Sequence, residues 1–350
     1  MEARFRKYVL DFKRPSGTSR GVMRHKETWF LILEENGRLG IGECGLLRGL
    51  SCDDIDGYEE KLAWTCANIH LGREALWEAL TDYPSIQFGM EQAFLSLTSK
   101  TPFELFPSQF TRKERPIPIN GLVWMGDEGF MHEQIEQKLA QGFRCIKMKI
   151  GAIDFNKEVA LLASIRKRYT EGHIELRVDA NGAFEVSQAL KKLQVLAAYD
   201  LHSIEQPIPQ GNPQAMKKLC EVSPIPIALD EELIGVKSIT DKQELLETIR
   251  PQYIILKPSL IGGYQGSGAW IDLAEKFNIA WWVTSALESN IGLNAIAQWT
   301  YTLDNTMPQG LGTGSLYTNN FESPLEVQNG KIYYRSGASW QSDLIQKLCT

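Results

Sequence analysis

The sequence predicts a (β/α)8 barrel joined to an α+β capping domain, and three observations carry that prediction. From Pro116 onward, short apolar segments alternate with amphipathic ones over about 200 residues, the pattern of a parallel sheet wrapped in helices. The central apolar segments each close on an ionisable residue at near-constant spacing. Asp179, Glu205, Asp230 and Lys257 follow one another at steps of 26, 25 and 27 residues, about one βα unit each. The first 115 residues lack this repeat and read as strands followed by helices.

In chain order, the β-rich runs Tyr8-Val9-Leu10 and Thr28-Trp29-Phe30-Leu31-Ile32-Leu33 come first. The turn Glu35-Asn36-Gly37 then leads into Leu39-Gly40-Ile41-Gly42-Glu43. Between the first two runs, residues 14–21 form a loop rich in donors, with Ser19 and Arg20 at its tip, of the kind that closes over an anionic ligand. Residues 54 to 100 turn to a period near 3.6 and read as helices. A polar linker ending at Pro116 sets a domain boundary, giving a cap over residues 1–115 and a barrel over 116–317. Barrel strands are expected at 117–124, 145–150, 175–181, 203–205, 225–230, 253–257, 280–285 and 310–313, with helices between them. Residues 318–350, with Lys331-Ile332-Tyr333-Tyr334, read as a strand and tail returning to the cap. An open doubly wound sheet is disfavoured, because no GxGxxG or GxxxxGK loop follows a strand.

Composition narrows the function. A net charge of −6 on 350 residues argues against a nucleic-acid partner. Residues 1–13 carry no signal-peptide core, and no apolar run approaches the roughly 18 residues of a membrane span, so no membrane partner and a cytoplasmic location are expected. The six cysteines form no CxxC or CxxH pair and read as free thiols.

The chemistry gathers at the strand ends. In Cys145-Ile146-Lys147-Met148-Lys149-Ile150, alternation sends Cys145, Lys147 and Lys149 to one face. Two lysines on one face of a short apolar strand point to a polar pocket, since a buried ammonium is costly unless paired. Alternation likewise turns Asp179, Asn181, Glu205, Asp230 and Lys257 inward, at the carboxyl-terminal mouth of the barrel. Three converging carboxylates repel one another unless a cation sits among them, and oxygen-only ligands suit Mg2+, or Mn2+. Lys149 and Lys257 then flank the site from opposite sides. A small-molecule carboxylate bound to the metal would lose its α-proton to Lys149, with the metal and Lys257 stabilising the enediolate. A Schiff-base aldolase would need one lysine but not three in-phase carboxylates. None of His25, His70, His132, His173 and His202 closes a strand on the pocket face.

The motifs Lys147-x-Lys149, Val178-Asp179-Ala180-Asn181, Glu205-Gln206-Pro207, Leu229-Asp230-Glu231 and Leu256-Lys257-Pro258 together resemble the muconate-lactonizing branch of the enolase superfamily. The resemblance spans nearly the whole chain. It implies Asp179, Glu205 and Asp230 as metal ligands and Lys149 and Lys257 as the catalytic pair. Thr284-Ser285-Ala286-Leu287-Glu288-Ser289 and the loop at 14–21 are similar to segments of o-succinylbenzoate synthases. That family dehydrates 2-succinyl-6-hydroxy-2,4-cyclohexadiene-1-carboxylate in menaquinone synthesis. The likeness places Lys147, Asn181, Thr284, Ser285, Ser19 and Arg20 against substrate. The alternative is an N-succinylamino acid racemase or dipeptide epimerase using the same two lysines. Dipeptide epimerases carry an aspartate pair after the eighth strand, whereas Gly310-Leu311-Gly312-Thr313-Gly314 has no acid.

Overall fold

The computed structural model describes residues 1–18 and 21–349. Its N-terminal portion is an antiparallel sheet in the order β1 (Glu2–Thr18), β2 (Gly21–Glu35), β3 (Arg38–Cys44). The unbroken apolar run in β2 follows from burial of both sheet faces. Trp29, Leu31 and Leu33 pack against Ile86, Met90 and Ala93 of the helix Pro84–Thr98. Phe30 and Ile32 pack with Phe103, Phe321 and Leu348 on the other face. That helix lies so close that a side chain at Gly42 would overlap the Gly89 carbonyl. Residues 14–18 and Gly21, expected in a loop, instead belong to β1 and β2. The ladder is interrupted between Asp11 and Ser16 and resumes at Ser16↔Met23. Ser19 and Arg20 lie outside the described residues.

Beyond a short antiparallel segment, β4 (Ile117–Pro118), seven parallel strands follow in sequential order. They are β5 (Gly121–Val123), β6 (Cys145–Lys149), β7 (Glu175–Asp179), β8 (Ser203–Glu205), β9 (Ile227–Leu229), β10 (Tyr253–Leu256) and β11 (Ala280–Val283). The expected eighth strand is reduced to two residues, Gln309 and Gly310. These bridge Ile119 on one side and Thr284 on the other and so close the barrel. Pro308 has no N–H to extend the ladder, and a side chain at Gly310 would collide with Thr284. The expected first strand also splits. Ile117–Pro118 pairs with β13 (Lys331–Tyr334), itself paired with β12 (Leu325–Gln328), and only Gly121–Val123 joins the barrel.

Alternation decides what faces where. Val178, Ile204, Leu229 and Leu256 point out into the large core shared with the helices. Ala228, Ile255 and Trp282 fill the barrel interior with Tyr253 and Met307. Among the described residues, no helix is long and apolar enough to cross a membrane.

Candidate active site

The ladder sets the rim. Lys149 pairs with Asp179 across β6–β7, and Asp179 with Glu205 across β7–β8, so three adjacent strands bring their polar ends to one height. Lys147 Nζ reaches Glu205 Oε2 at 2.5 Å and Asp179 Oδ2 at 2.9 Å. Lys149 Nζ donates to Asp179 Oδ2 at 3.0 Å and to Asn181 Oδ1 at 2.6 Å. Across the barrel, Lys257 donates to Asp230 and lies 4.0 Å from Glu205 Oε1. Asn181 donates to Glu231 Oε1 at 3.0 Å, joining a fourth carboxylate to the group.

The backbone beyond β7 and β8 turns sharply to allow this. Asn181 (φ 44°) and Gln206 (φ 39°) sit in the left-handed region. The Asn181 N–H donates to Asp179 Oδ1 at 3.0 Å. Gln206 Oε1 accepts from the Asp230 and Glu232 N–H groups while its amide donates to Glu232, tying the end of β8 to that of β9.

Burial and charge oppose each other here. Burial disfavours the charged form of Asp179, but Lys147, Lys149 and Lys257 outweigh it and hold the carboxyl well below the usual range. Burial likewise works against charge on Lys147, and Asp179 with Glu205 reverses that, leaving the ammonium more strongly protonated than usual. Lys257 is raised on the same balance, by Asp230, Glu205 and Glu231. Burial pushes the Asp230 carboxyl up against the pull of Lys257, and Glu231 and Glu205 add to the push.

Four carboxylates therefore face three ammoniums, and Glu205 Oε1 is buried without a hydrogen-bond partner. As the side chains stand, no group of three or more Asp, Glu, His or Cys among the described residues is arranged around a metal position. The ammoniums of Lys147 and Lys257 lie among the carboxylates instead. The donor chemistry nonetheless fits a hard divalent cation: oxygen ligands from three neighbouring strands, one oxygen unpartnered, and an excess of negative charge.

A cavity of ≈ 230 Å³ opens above the rim. Of the residues expected at the site, Lys147, Lys149, Asp179, Asn181, Lys257, Thr284 and Ser285 line it. Glu205 and Asp230 touch its lysines from below. Its roof comes from the cap, through Val22 and Met23 of β2 and the segment 47–50. Sequence reasoning missed that segment, which carries no periodicity, and also Trp124, whose ring lies 5.8 Å from Lys149 Nζ. Alternation of Leu122 with Trp124 would have signalled an inward-facing ring. Cys145 is buried low in the barrel, its thiol pushed up by burial, and lines no part of this cavity. His202 stacks on Tyr253 at 4.8 Å, away from the rim.

Residues 131–338 match the family model described as enolase C-terminal domain-like. The o-succinylbenzoate synthase of Desulfotalea psychrophila is 48% identical, the alignment covering 95% of this chain and 98% of that protein. The crystal structure of MenC from Desulfotalea psychrophila LSv54 superposes with a TM-score of 0.84 at 45% identity, covering 95% of this chain and 99% of that one. The muconate lactonizing enzyme of Pseudomonas fluorescens shares the fold, with a TM-score of 0.80 at 21% identity and coverage of 99% and 98%. With the barrel fold and near-full-length identity in agreement, the chain belongs to the o-succinylbenzoate synthase family of the enolase superfamily.

Proposed function

We propose that this chain is a metal-dependent lyase converting 2-succinyl-6-hydroxy-2,4-cyclohexadiene-1-carboxylate to 2-succinylbenzoate by syn dehydration, a step of menaquinone synthesis, in the cytoplasm. The observation that carries the reading is that Lys149 and Lys257 open into one cavity across a rim of carboxylates. Asp179, Glu205 and Asp230 would hold Mg2+, with Mn2+ as the other candidate. When bound, the cation supplies Lewis acidity that lowers the barrier to forming an enediolate from the substrate carboxylate.

The remaining work falls to the chain. As the free amine, having released its own proton, Lys149 Nζ takes the α-proton and, as the ammonium so formed, gives it to the departing hydroxyl, so that water leaves from the same face and the amine is restored. Lys257, on the opposite side, stabilises the negative charge that develops. Asn181 holds Lys149 from beyond Asp179 and is itself held by Glu231. The roof at Val22, Met23 and Leu47 to Leu50 excludes water from the base. Lys147 bridges Asp179 and Glu205 and offsets part of their charge. Residues 1–115 and 318–350 serve as the cap and 116–317 as the catalytic barrel. Neither nucleic acid nor membrane is a partner in this reading.

The test is a dehydration assay run beside racemisation of an N-succinyl amino acid and epimerisation of a dipeptide, with Lys149→Ala as control. Dehydration that needs a divalent cation and vanishes in the variant supports the assignment. Solvent deuterium entering an N-succinyl amino acid without dehydration would replace it with a racemase.

A further inference from the structure

Ser285, although on the cavity wall, has no hydrogen-bonding capacity left for a ligand. A serine hydroxyl offers one donor and two acceptor sites. Ser285 Oγ has three partners: Glu288 Oε2 at 2.7 Å, Thr313 Oγ1 at 2.8 Å and the Leu287 N–H at 3.0 Å. The Leu287 N–H can only donate, which leaves Ser285 one proton and one lone pair to divide between Glu288 and Thr313. Thr313 lies on the same wall of the cavity.

We propose that Glu288, acting through Ser285, sets whether Thr313 offers its hydroxyl proton to the cavity. Thr313 is then a specificity-determining residue for an anionic substrate, and Glu288 a positioning residue behind it. With Glu288 ionised, Ser285 must donate to Glu288. Its remaining lone pair takes the Thr313 proton, and Thr313 presents only lone pairs to the cavity. With Glu288 protonated on Oε2, Glu288 donates to Ser285, Ser285 donates to Thr313, and the Thr313 proton is freed to meet a carboxylate oxygen. One proton on Glu288 thus turns the wall from an acceptor into a donor. The inference rests on the carboxylate substrate proposed above.

The surroundings of Glu288 hold its carboxyl above the usual range. It is wholly buried, and its other oxygen accepts from Ser259 Oγ at 2.5 Å. Burial raises its carboxyl, Lys26 from β2 lowers it, and Glu43 from β3 raises it again. Tyr264 and Tyr317 also face it, both raised well above the ordinary phenol range by burial and therefore neutral. Lys26 Nζ makes no hydrogen bond, so Glu288 has no ammonium clamped to it.

The experiment follows binding of 2-succinylbenzoate to the Mg2+-loaded enzyme by calorimetry from acid to alkaline pH, over the range in which the protein stays folded, beside KM and kcat for dehydration. Wild-type affinity should weaken as pH rises, by about tenfold for one charge-assisted hydrogen bond lost, with KM moving and kcat steady. Glu288→Gln should bind with no such pH dependence, since its amide does not titrate. Thr313→Val should bind about tenfold more weakly than wild type at low pH, also with a flat profile, and Thr313→Ser should restore the wild-type profile. A Glu288→Gln profile that follows wild type overturns the proposal, as does a Thr313→Val enzyme that binds like wild type. If Glu288→Gln does not fold, the Thr313 pair decides alone. A wild-type enzyme that dehydrates its substrate but shows no pH dependence of binding refutes the relay and leaves the functional reading standing. One that neither binds the product nor forms it refutes both.

Discussion

Glu43→Gln changes one atom type at the joint between cap and barrel, and its cost can be worked from the contacts. Glu43 is fully buried on β3 and receives four hydrogen bonds. Oε1 accepts from Thr28 Oγ1 and the Ser289 N–H, both at 2.9 Å. Oε2 accepts from Ser289 Oγ at 2.5 Å and the Gly292 N–H at 2.9 Å. Hydroxyls can rotate to accept from an amide, but the two backbone N–H groups cannot. They fall on different oxygens, so either orientation of a glutamine sets its NH2 against one of them. The loss is one charge-assisted hydrogen bond and one buried donor left unsatisfied, about 3–5 kcal/mol together. The carboxylate also faces the N-terminus of the helix Asn290–Thr302, whose dipole favours negative charge. For a chain of this length the unfolding entropy is about 0.7 kcal/mol/K, so the melting temperature should fall by about 4–7 °C. Differential scanning fluorimetry measures this, with Glu34→Gln as control. The exposed Arg4–Glu34 pair should contribute less than about 1 kcal/mol. A Glu43→Gln shift no larger than that of Glu34→Gln would refute the reasoning.

Lys149→Ala should lower dehydration turnover by at least about a thousandfold, read in steady-state kinetics, while the protein stays folded because Lys147 still pairs Asp179. Mg2+ at about a hundred times its dissociation constant should stabilise the wild type by about 2.7 kcal/mol, seen as a rise of about 4 °C in melting temperature; Asp230→Asn should lose most of that rise. Asp53 gives a stability test in pH. Burial lifts its carboxyl from 3.8 to about 6, both Ser85 donors fall on Oδ2, and Oδ1 has no partner and is free to carry the proton. A carboxyl raised on folding makes the native state bind the proton more tightly, so its contribution is present below pH 3.8 and lost as pH rises through about 6. In urea titrations, the stability of Asp53→Asn relative to wild type should therefore climb by about 3 kcal/mol over that window.

The rim was legible because each βα unit has nearly the same length. A residue type recurring at that spacing must recur at one height, and alternation then fixes its face. Elements that depend on a distant partner were not legible. Ile117–Pro118 is apolar enough to start a barrel strand, yet β13, more than 200 residues later, claims it. The eighth strand, expected at 310–313, survives as a bridge at Gln309 and Gly310, because Thr284 packs against the glycine and Pro308 has no N–H to lengthen the ladder. Ser285 reads as a ligand contact from the family likeness of its segment, and only the fold shows that Thr313, 28 residues away, takes one of its hydrogen-bonding positions. Glu43 and its helix are 246 residues apart and share no period. Local pattern placed the charges, and long-range packing decided which of them remain available.

That distinction bears on how the cavity takes a substrate. Glu231 is bonded to Asn181 inside the rim, so the acids Asp179, Glu205, Asp230 and Glu231 outnumber Lys147, Lys149 and Lys257 by one. Where burial keeps a proton on Asp230 the cavity floor is no better than neutral, and with all four acids ionised it repels a dianion such as 2-succinylbenzoate. The lysines cannot relieve it, since each is already bonded to a carboxylate of the rim. A divalent cation changes the balance from one negative to one positive charge, and only then does the floor attract a carboxylate. Product binding should accordingly require the cation. Calorimetry with 2-succinylbenzoate should give a clear isotherm in Mg2+ and heats indistinguishable from dilution in chelator. Equal affinity in both would mean that the roof and walls, not the rim, hold the ligand, and the assignment of Asp179, Glu205 and Asp230 as the organising centre would fall.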